Sequence, residues 1–212
     1  MKGKIIKDAL ILLAITVIAG VGLGAVYNIT KEPIAKVEYD TQQNAYRTVF
    51  KDAAEFVDLP GFSADDATKI AEESGVIEAG AVSIDGCVQA VGSDGTLLGY
   101  VITVTPHNGY SGDITFSLGV QLDGTLNGYS ITSISETAGL GMKAQEEAFY
   151  SQFENKKVET FTVTKTGSTD DSQIDAISGA TITSSAVTDG VNAGLAYYRD
   201  LLQTTGGELL NE

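Results

Sequence analysis

The sequence predicts an α+β protein with a single N-terminal transmembrane helix, a mainly antiparallel sheet and flanking helices. Three observations support this prediction. Residues 9–27 form an uncharged apolar run, residues 87–135 alternate apolar and polar side chains between turn signals, and residues 184–203 repeat apolar residues at helical spacing. We therefore divide the chain into three segments: an N-terminus with the membrane helix at 1–29, a helical connector at 30–75, and a folded domain at 76–212.

The apolar run at residues 9–27 is long enough to cross a membrane. As a helix it spans about 28 Å, close to the roughly 30 Å hydrocarbon core. Because Lys2, Lys4 and Lys7 precede it, the positive-inside rule predicts a cytoplasmic N-terminus and an extracytoplasmic domain at the cell (inner) membrane. A cleaved signal peptide is the alternative, and the length of the run argues against it.

The composition excludes several classes of function. The net charge is −15 and 43% of the residues are hydrophobic, which is typical of a folded, acidic protein. So acidic a surface repels nucleic acid, and we expect no nucleic-acid partner. The single cysteine, Cys87, cannot form an intramolecular disulfide, and its strand-like neighbours favour a buried core thiol. His107 is interpreted as a solvated turn residue, so we expect neither a metal site nor a catalytic group.

The connector is predicted to contain two helices. Pro33 stands where a helix can begin, and apolar residues recur at helical spacing through 34–49. A second, shorter helix is predicted at 64–73, and residues 50–62 join the two.

The domain begins with a pattern of short strands. Asp94-Gly95 and Asp123-Gly124 are hairpin turn signals. The strand-like runs around them lie at 87–91, 97–105, 114–122 and 126–135, and they predict an antiparallel meander. A helix at 144–153, a strand at 157–164 and the amphipathic helix at 184–203 complete the prediction.

Residues 175–185, DAISGATITSS, place five hydroxyl side chains around Gly179 directly before the last helix. Capping is one interpretation, because such hydroxyls accept hydrogen bonds from the first N–H groups of a helix. An anion site is the other, because those N–H groups and the helix dipole attract negative charge. No Lys or Arg lies between residues 168 and 189, so this is not a P-loop. A phosphate here would suit a diester, or a hydroxyl that carries it covalently.

The stretch from Asp175 to Thr181 resembles the D-x-x-[ST]-G-A-[TS] flavinylation motif. That motif belongs to the FMN-binding domains of the Rnf complexes and of the Na⁺-translocating NADH:quinone reductases. The resemblance implies that Thr181 carries FMN through a phosphoester bond. It also implies that Asp175, Ser178, Gly179 and Ala180 surround the attachment point.

Two further stretches strengthen the resemblance. Residues 135–141, SETAGLG, resemble the family's S-E-T-P-G-L-G loop, with Ala138 in place of Pro. Residues 108–114, NGYSGDI, resemble its G-Y-G-G-x-I segment, with Ser111 in place of Gly. Both loops are implied to border the flavin ring, through Glu136, Thr137, Gly139, Leu140, Gly141, Gly109 and Tyr110.

The length and layout resemble the G subunit of the Rnf complex most. The resemblance implies an electron-carrying subunit, not catalytic alone, in a membrane complex that couples ferredoxin and NAD⁺ chemistry to Na⁺ or H⁺ movement. Implied partners are the other membrane subunits and a flavin transferase that attaches FMN. Three alternatives stay open at this point: the C subunit of the quinone reductase, a free-standing anchored flavoprotein, and a non-redox membrane-anchored binding module.

Overall fold

The computed structural model describes the backbone of residues 2–209 and the side chains of residues 3–203. Chain contacts divide it into two units, Met1–Thr41 and Gln42–Glu212. The second unit therefore includes residues 42–75, which the sequence assigned to a connector. The predicted domain boundaries, after residues 29 and 75, stay predictions.

Helix α1 runs from Lys2 to Val49 without a break. The sequence placed a helix start at Pro33, and this was wrong, since Pro33 lies inside the helix. Proline removes one backbone hydrogen bond and its ring crowds the carbonyl four residues earlier, but the helix-forming residues on both sides continue the helix despite this cost. Within the described residues one helix, Gly3–Val49, is long and apolar enough to cross a membrane by length and composition. The predicted membrane helix and the predicted 34–49 helix are thus one element.

The second unit is built on a five-stranded antiparallel sheet whose strands follow chain order. The strands are β1 (Glu55–Asp58), β2 (Val82–Val91), β3 (Leu97–Pro106), β4 (Ile114–Gln121) and β5 (Leu126–Ile134). The predicted meander and both Asp-Gly turns are confirmed. The sequence missed β1, because four residues with a charge at each end carry no strand signal.

Each face of the sheet is covered by helices. The last turns of α1 and the residue after it cover one face, where Tyr46, Val49 and Phe50 pack on strands β2 and β3. On the other face lie α2 (Ala64–Glu73), as predicted, and α4 (Thr181–Leu209). The main core therefore lies between the sheet and α4.

Two glycines let α4 lie directly on the sheet. A Cβ on Gly190 would stand 2.6 Å from the Phe116 ring, and one on Gly194 would stand 2.7 Å from Leu118. No larger side chain fits there without moving the helix. This close packing fixes where the first turn of α4 lies.

The segment between β5 and α4 is less regular than predicted. The expected helix at 144–153 is three short turns, Gly141–Gln145, α3 (Glu147–Tyr150) and Ser151–Phe153, because Glu146 is extended. The expected strand at 157–164 shrinks to β6 (Thr162–Thr164), which pairs in parallel with β7 (Gln173–Asp175).

The side chain of Asn192 on α4 makes the two backbone hydrogen bonds at Phe161 that a neighbouring strand would otherwise make. Its amide oxygen accepts from the Phe161 N–H at 2.7 Å, and its amide nitrogen donates to the Phe161 carbonyl at 2.9 Å. The chain before β6 is thereby tied to the helix instead of to the sheet.

Candidate functional site

Helix α4 begins at Thr181, three residues earlier than predicted, after a tight turn over residues 177–180. Gly179 takes a left-handed conformation with φ of 77°, which favours glycine. The Ala180 N–H donates to the Ile177 carbonyl at 2.9 Å and closes the turn. The glycine of the motif therefore has a defined structural reason.

Ser184 holds this turn against the helix. Its buried hydroxyl accepts from the Ile177 N–H and donates to the Ala180 carbonyl, both at 2.9 Å. The capping interpretation of Ser184 is thus wrong, because the hydroxyl binds the turn before the helix and not the N–H groups of its first turn.

The first turn of α4 leaves three backbone donors open. Among the described residues, none accepts a hydrogen bond from the N–H groups of Thr181, Ile182 and Thr183. The first turn also carries no acidic residue. Free N–H groups at the positive end of a helix dipole form a site for an anion.

These residues open into a cleft of about 490 Å³. Its volume is within the roughly 300–1,000 Å³ of ordinary ligand pockets. The cleft is lined by three segments of the chain, which contribute Tyr110, Glu136, Thr137, Leu140, Gly141, Gly179, Ala180, Thr181, Ile182 and Thr183. The three stretches singled out in the sequence therefore meet at one place.

Eight of the twelve residues proposed from the sequence line this cleft. The other four lie around it. Gly109 lies behind Glu136, since a Cβ there would stand 2.9 Å from Oε1 of that carboxylate. Gly139 takes a turn conformation with φ of 76°, and Ser178 is exposed. Asp175 lies in β7, where its N–H donates to Gln152 at 2.7 Å and its carboxylate accepts from Ser168 at 3.3 Å. The roles of all twelve stay predictions.

Sequence reasoning missed two lining residues, Ile182 and Thr183. Capping is the interpretation that the sequence favours for Thr183, and Ile182 has no role predicted from sequence. Helical geometry could have found them, because a first turn whose N–H groups face a cleft also directs its side chains there.

Glu136 places a carboxylate at the base of the cleft. The residue is only 7% exposed, and its Oε1 accepts from the Ser111 N–H at 3.2 Å. The carboxylate lies between two glycine backbones, because a Cβ on Gly109 or on Gly141 would approach it to 2.9 or 2.7 Å. Both glycines therefore make room for this side chain.

Apolar side chains surround the mouth of the cleft. Tyr110, Leu140 and Ile182 are 69%, 41% and 53% exposed, high values for large apolar residues. Exposed apolar groups that converge on a cleft are typical of ligand-binding sites. Together with the open N–H groups they suit a ligand that has an apolar body and an anionic end.

The two remaining candidates of the sequence lie elsewhere. Cys87 is buried, as predicted, and burial raises the pKa of its thiol to about 12, so it is not reactive. His107 is exposed and lies 3.1 Å from Asp113, in keeping with a solvated turn residue. The described part of the chain holds no cluster of side chains that could bind a metal ion.

Family models define the class of the protein. A model described as an FMN-binding domain matches residues 109–196, the span that holds every residue lining the cleft. A second model, described as the RnfG N-terminal region, matches residues 1–49, which form α1. The class is thus an FMN-binding domain that follows an apolar N-terminal helix.

Relatives identify the particular family. The chain is 34% identical over 199 residues to the G subunit of the Na⁺-translocating ferredoxin:NAD⁺ oxidoreductase complex of Acetobacterium woodii, covering 93% of each chain. It is 30% identical to the G subunit of the proton-translocating ferredoxin:NAD⁺ oxidoreductase complex of Clostridium ljungdahlii, covering 90% of this chain and 88% of the other. The chain belongs to the family of Rnf complex G subunits.

Solved structures confirm the fold. NqrC from Shewanella oneidensis superposes with a TM-score of 0.52 at 17% identity, over 79% of this chain and 98% of that one. The C subunit of the Na⁺-translocating NADH-quinone reductase from Parabacteroides distasonis gives 0.51 at 23% identity, over 71% and 78%. The predicted α+β fold is therefore right, and the Rnf relatives decide between the two complexes that the sequence left open.

Proposed function

We propose that this chain is the covalently flavinylated electron-transfer subunit of a membrane-bound, ion-translocating ferredoxin:NAD⁺ oxidoreductase complex, with FMN esterified to Thr181. One observation supports the attachment most. Thr181 lines the cleft at the start of a 29-residue helix whose first three N–H groups have no acceptor among the described residues. Its hydroxyl and a bound phosphate would share this positive helix end.

The residues of the cleft fit FMN. The N–H groups of Thr181, Ile182 and Thr183 would hold the phosphate oxygens. No Lys or Arg lines the cleft, so a diester, with one negative charge, suits it better than a free phosphate. Tyr110, Leu140 and Ile182 would border the apolar ring and exclude water. FMN supplies the redox chemistry, and the protein supplies its position and surroundings.

The family relatives support the place of the chain in a complex. Their names specify Na⁺ in one case and protons in another, and both act on ferredoxin and NAD⁺. We infer that this chain passes electrons inside such a complex, is not catalytic alone, and contacts other membrane subunits. Lys2, Lys4 and Lys7 support a cytoplasmic N-terminus and an extracytoplasmic FMN domain. A flavin transferase would attach the cofactor.

The mass of the intact protein tests the attachment. The full chain is produced with and without a flavin transferase, as wild type and as Thr181→Ala, Thr181→Ser and Ser185→Ala. We expect wild type to gain the mass of FMN less one water only with the transferase, and Thr181→Ala to gain none. Thr181→Ser keeps a hydroxyl and should be modified.

Ser185→Ala is the matched control, because it removes a partly exposed hydroxyl of the same helix from outside the cleft lining. It should be modified like wild type. If wild type gains no mass, or Thr181→Ala gains as much as wild type, the proposal is wrong. Unmodified wild type would favour the non-redox binding module.

A further inference from the structure

Thr183 is unusual among the buried polar side chains. Eight polar or charged residues are buried in the described part of the chain, and seven of them make side-chain hydrogen bonds. Thr183 is 1% exposed, yet no hydrogen bond of its hydroxyl is found within that part. Its neighbours on α4, Ser184 and Thr188, both donate to backbone carbonyls. Thr183 lines the cleft, so its hydroxyl is open to a ligand there.

Glu136 offers a second open group beside it. Ser111 satisfies Oε1 of this carboxylate, while Oε2 has no hydrogen-bond donor among the described residues. Glu136 Oε2 and Thr183 Oγ1 each lie 2.7 Å from the point where a Cβ of Gly141 would stand. The two oxygens are therefore close neighbours, and both face the space that a side chain at residue 141 would fill.

The chemistry of this pair selects its ligand group. A carboxylate only accepts hydrogen bonds, whereas a threonine hydroxyl can donate one. A phosphate at the carboxylate would be repelled, so the pair does not suit the anionic end of FMN. It suits a neutral edge where an N–H stands beside a carbonyl. The pyrimidine ring of the flavin has such an edge, with one N–H between two carbonyls.

We propose that Glu136 and Thr183 recognise this imide edge of the flavin ring. Glu136 Oε2 accepts from the ring N–H, and the Thr183 hydroxyl donates to the adjacent carbonyl. This inference rests on the proposed function, because it concerns the same cofactor. It adds that the two residues set the reduction potential in opposite directions. A donor to the carbonyl stabilises the more negative reduced ring, and a nearby carboxylate destabilises it.

The test uses the full chain in detergent, produced with a flavin transferase, as wild type, Thr183→Val, Thr183→Ser, Thr188→Val and Glu136→Gln. Valine matches threonine in shape and has a methyl group in place of the hydroxyl. Thr188→Val is the control, since Thr188 is buried on the same helix but lies outside the cleft. The measurements are intact mass, the midpoint potential of the attached FMN, and the infrared frequencies of its ring carbonyls.

We expect every variant to retain the FMN mass. Thr183→Val should lower the midpoint potential, which corresponds to a roughly fivefold to tenfold higher ratio of oxidised to reduced FMN at a fixed potential. The same variant should raise the infrared frequency of one ring carbonyl. Thr183→Ser should restore both values, and Glu136→Gln should raise the potential. Thr188→Val should change neither the potential nor the frequencies.

Three results would overturn the inference. Unchanged potential and carbonyl frequencies in Thr183→Val would reduce Thr183 to a packing residue. Loss of FMN from Thr183→Val but not from Thr183→Ser would assign its hydroxyl to the phosphate instead of the ring. A potential that falls in Glu136→Gln would contradict the role of the carboxylate. Wild type without FMN would instead be a failure of the proposed function, and Thr183→Ala replaces the valine variant if that one does not fold.

Discussion

Helices α2 and α4 both begin beside residues with hydroxyl side chains. The two helices differ in whether the N–H groups of their first turn have hydrogen-bond acceptors. At α2, Ser63 caps the helix by accepting from the Asp66 N–H at 3.3 Å, and Asp65 and Asp66 add negative charge to the first turn. At α4, Ser184 reaches back to the preceding turn, and the first turn has neither a carboxylate nor an acceptor among the described residues for its N–H groups.

This difference teaches what separates a cap from a binding site. The start of α2 is satisfied by its own chain, so nothing has to bind there. At the start of α4, the Ser184 hydroxyl binds the preceding turn, and Thr181 and Thr183 line the cleft. The N–H groups at the positive end of this helix therefore stay open to a ligand. The same residue types therefore serve opposite purposes, and only their partners distinguish the two.

The largest expected effect compares Ser184→Ala with Ser63→Ala. Ser184 is fully buried, so its loss leaves the Ile177 N–H unpaired, and we expect the free energy of unfolding to fall by about 2 kcal/mol. Ser63 is an ordinary cap, and its loss should lower the free energy of unfolding by about 1 kcal/mol or less. Urea unfolding followed by circular dichroism measures both. Equal losses would mean that Ser184 acts only as a cap.

The second prediction gives α4 the acidic first turn of α2. Ile182→Glu places a carboxylate beside the open N–H groups, where it would repel the phosphate and satisfy the helix dipole. We expect the rate of FMN attachment to fall about tenfold, equivalent to about 1.4 kcal/mol. Ile182→Gln is the control, as it has the same shape without the charge. The rate is followed by intact mass, and equal rates for the two variants would contradict the electrostatic account.

The smallest effect concerns Asp189, the first carboxylate of α4. Burial, and then the charge of Glu78, raise the pKa of Asp189, while the hydrogen bond from Asn108 at 3.0 Å lowers it in part. A raised carboxyl pKa means that the charged form is unfavourable in the folded state. The ionised Asp189 therefore lowers the free energy of unfolding, and this loss is complete once the pH has risen above the folded-state pKa. Below the unfolded-state pKa of about 3.9 the loss is absent.

Asp189→Asn should therefore be more stable than wild type at pH 7 and unfold at a higher temperature. The gain in free energy of unfolding should be less than about 1 kcal/mol, because the site is partly solvated. The gap should close as pH falls and Asp189 becomes protonated. Thermal unfolding at pH 7 and pH 4 measures both gaps. A variant less stable than wild type at pH 7 would show that the bond to Asn108 outweighs the burial of the charge.

Much of this architecture can be predicted from the sequence because it depends on local patterns. The alternation of β2 to β5, their Asp-Gly turns and the apolar spacing of α4 each involve neighbouring residues. The three cleft segments could be found for a different reason, since each resembles a family motif. The family motifs implied that the three segments lie close together, and in the fold they line one cleft.

The errors occur where distant contacts decide the local structure. Strand β1 exists because its residues pair with β2, and residues 157–161 fail to form a strand because Asn192 on α4 holds Phe161. Thr183 is missed because Ser and Thr residues next to a helix start look alike in sequence. Which of their hydroxyls faces the cleft depends on loops much earlier in the chain, at 109–114 and 136–141.

The close packing of α4 on the sheet has a consequence for the order in which the protein matures. The last lining residue of the cleft is Thr183, and the helix that holds it is packed through Gly190 and Gly194, which follow it in the chain. A growing polypeptide that has emerged only as far as β7 therefore has no cleft and no fixed attachment turn. We expect any attachment of FMN at Thr181 to require a chain that is complete through Gly194, because the turn before Thr181 is held in place only when α4 packs on the sheet.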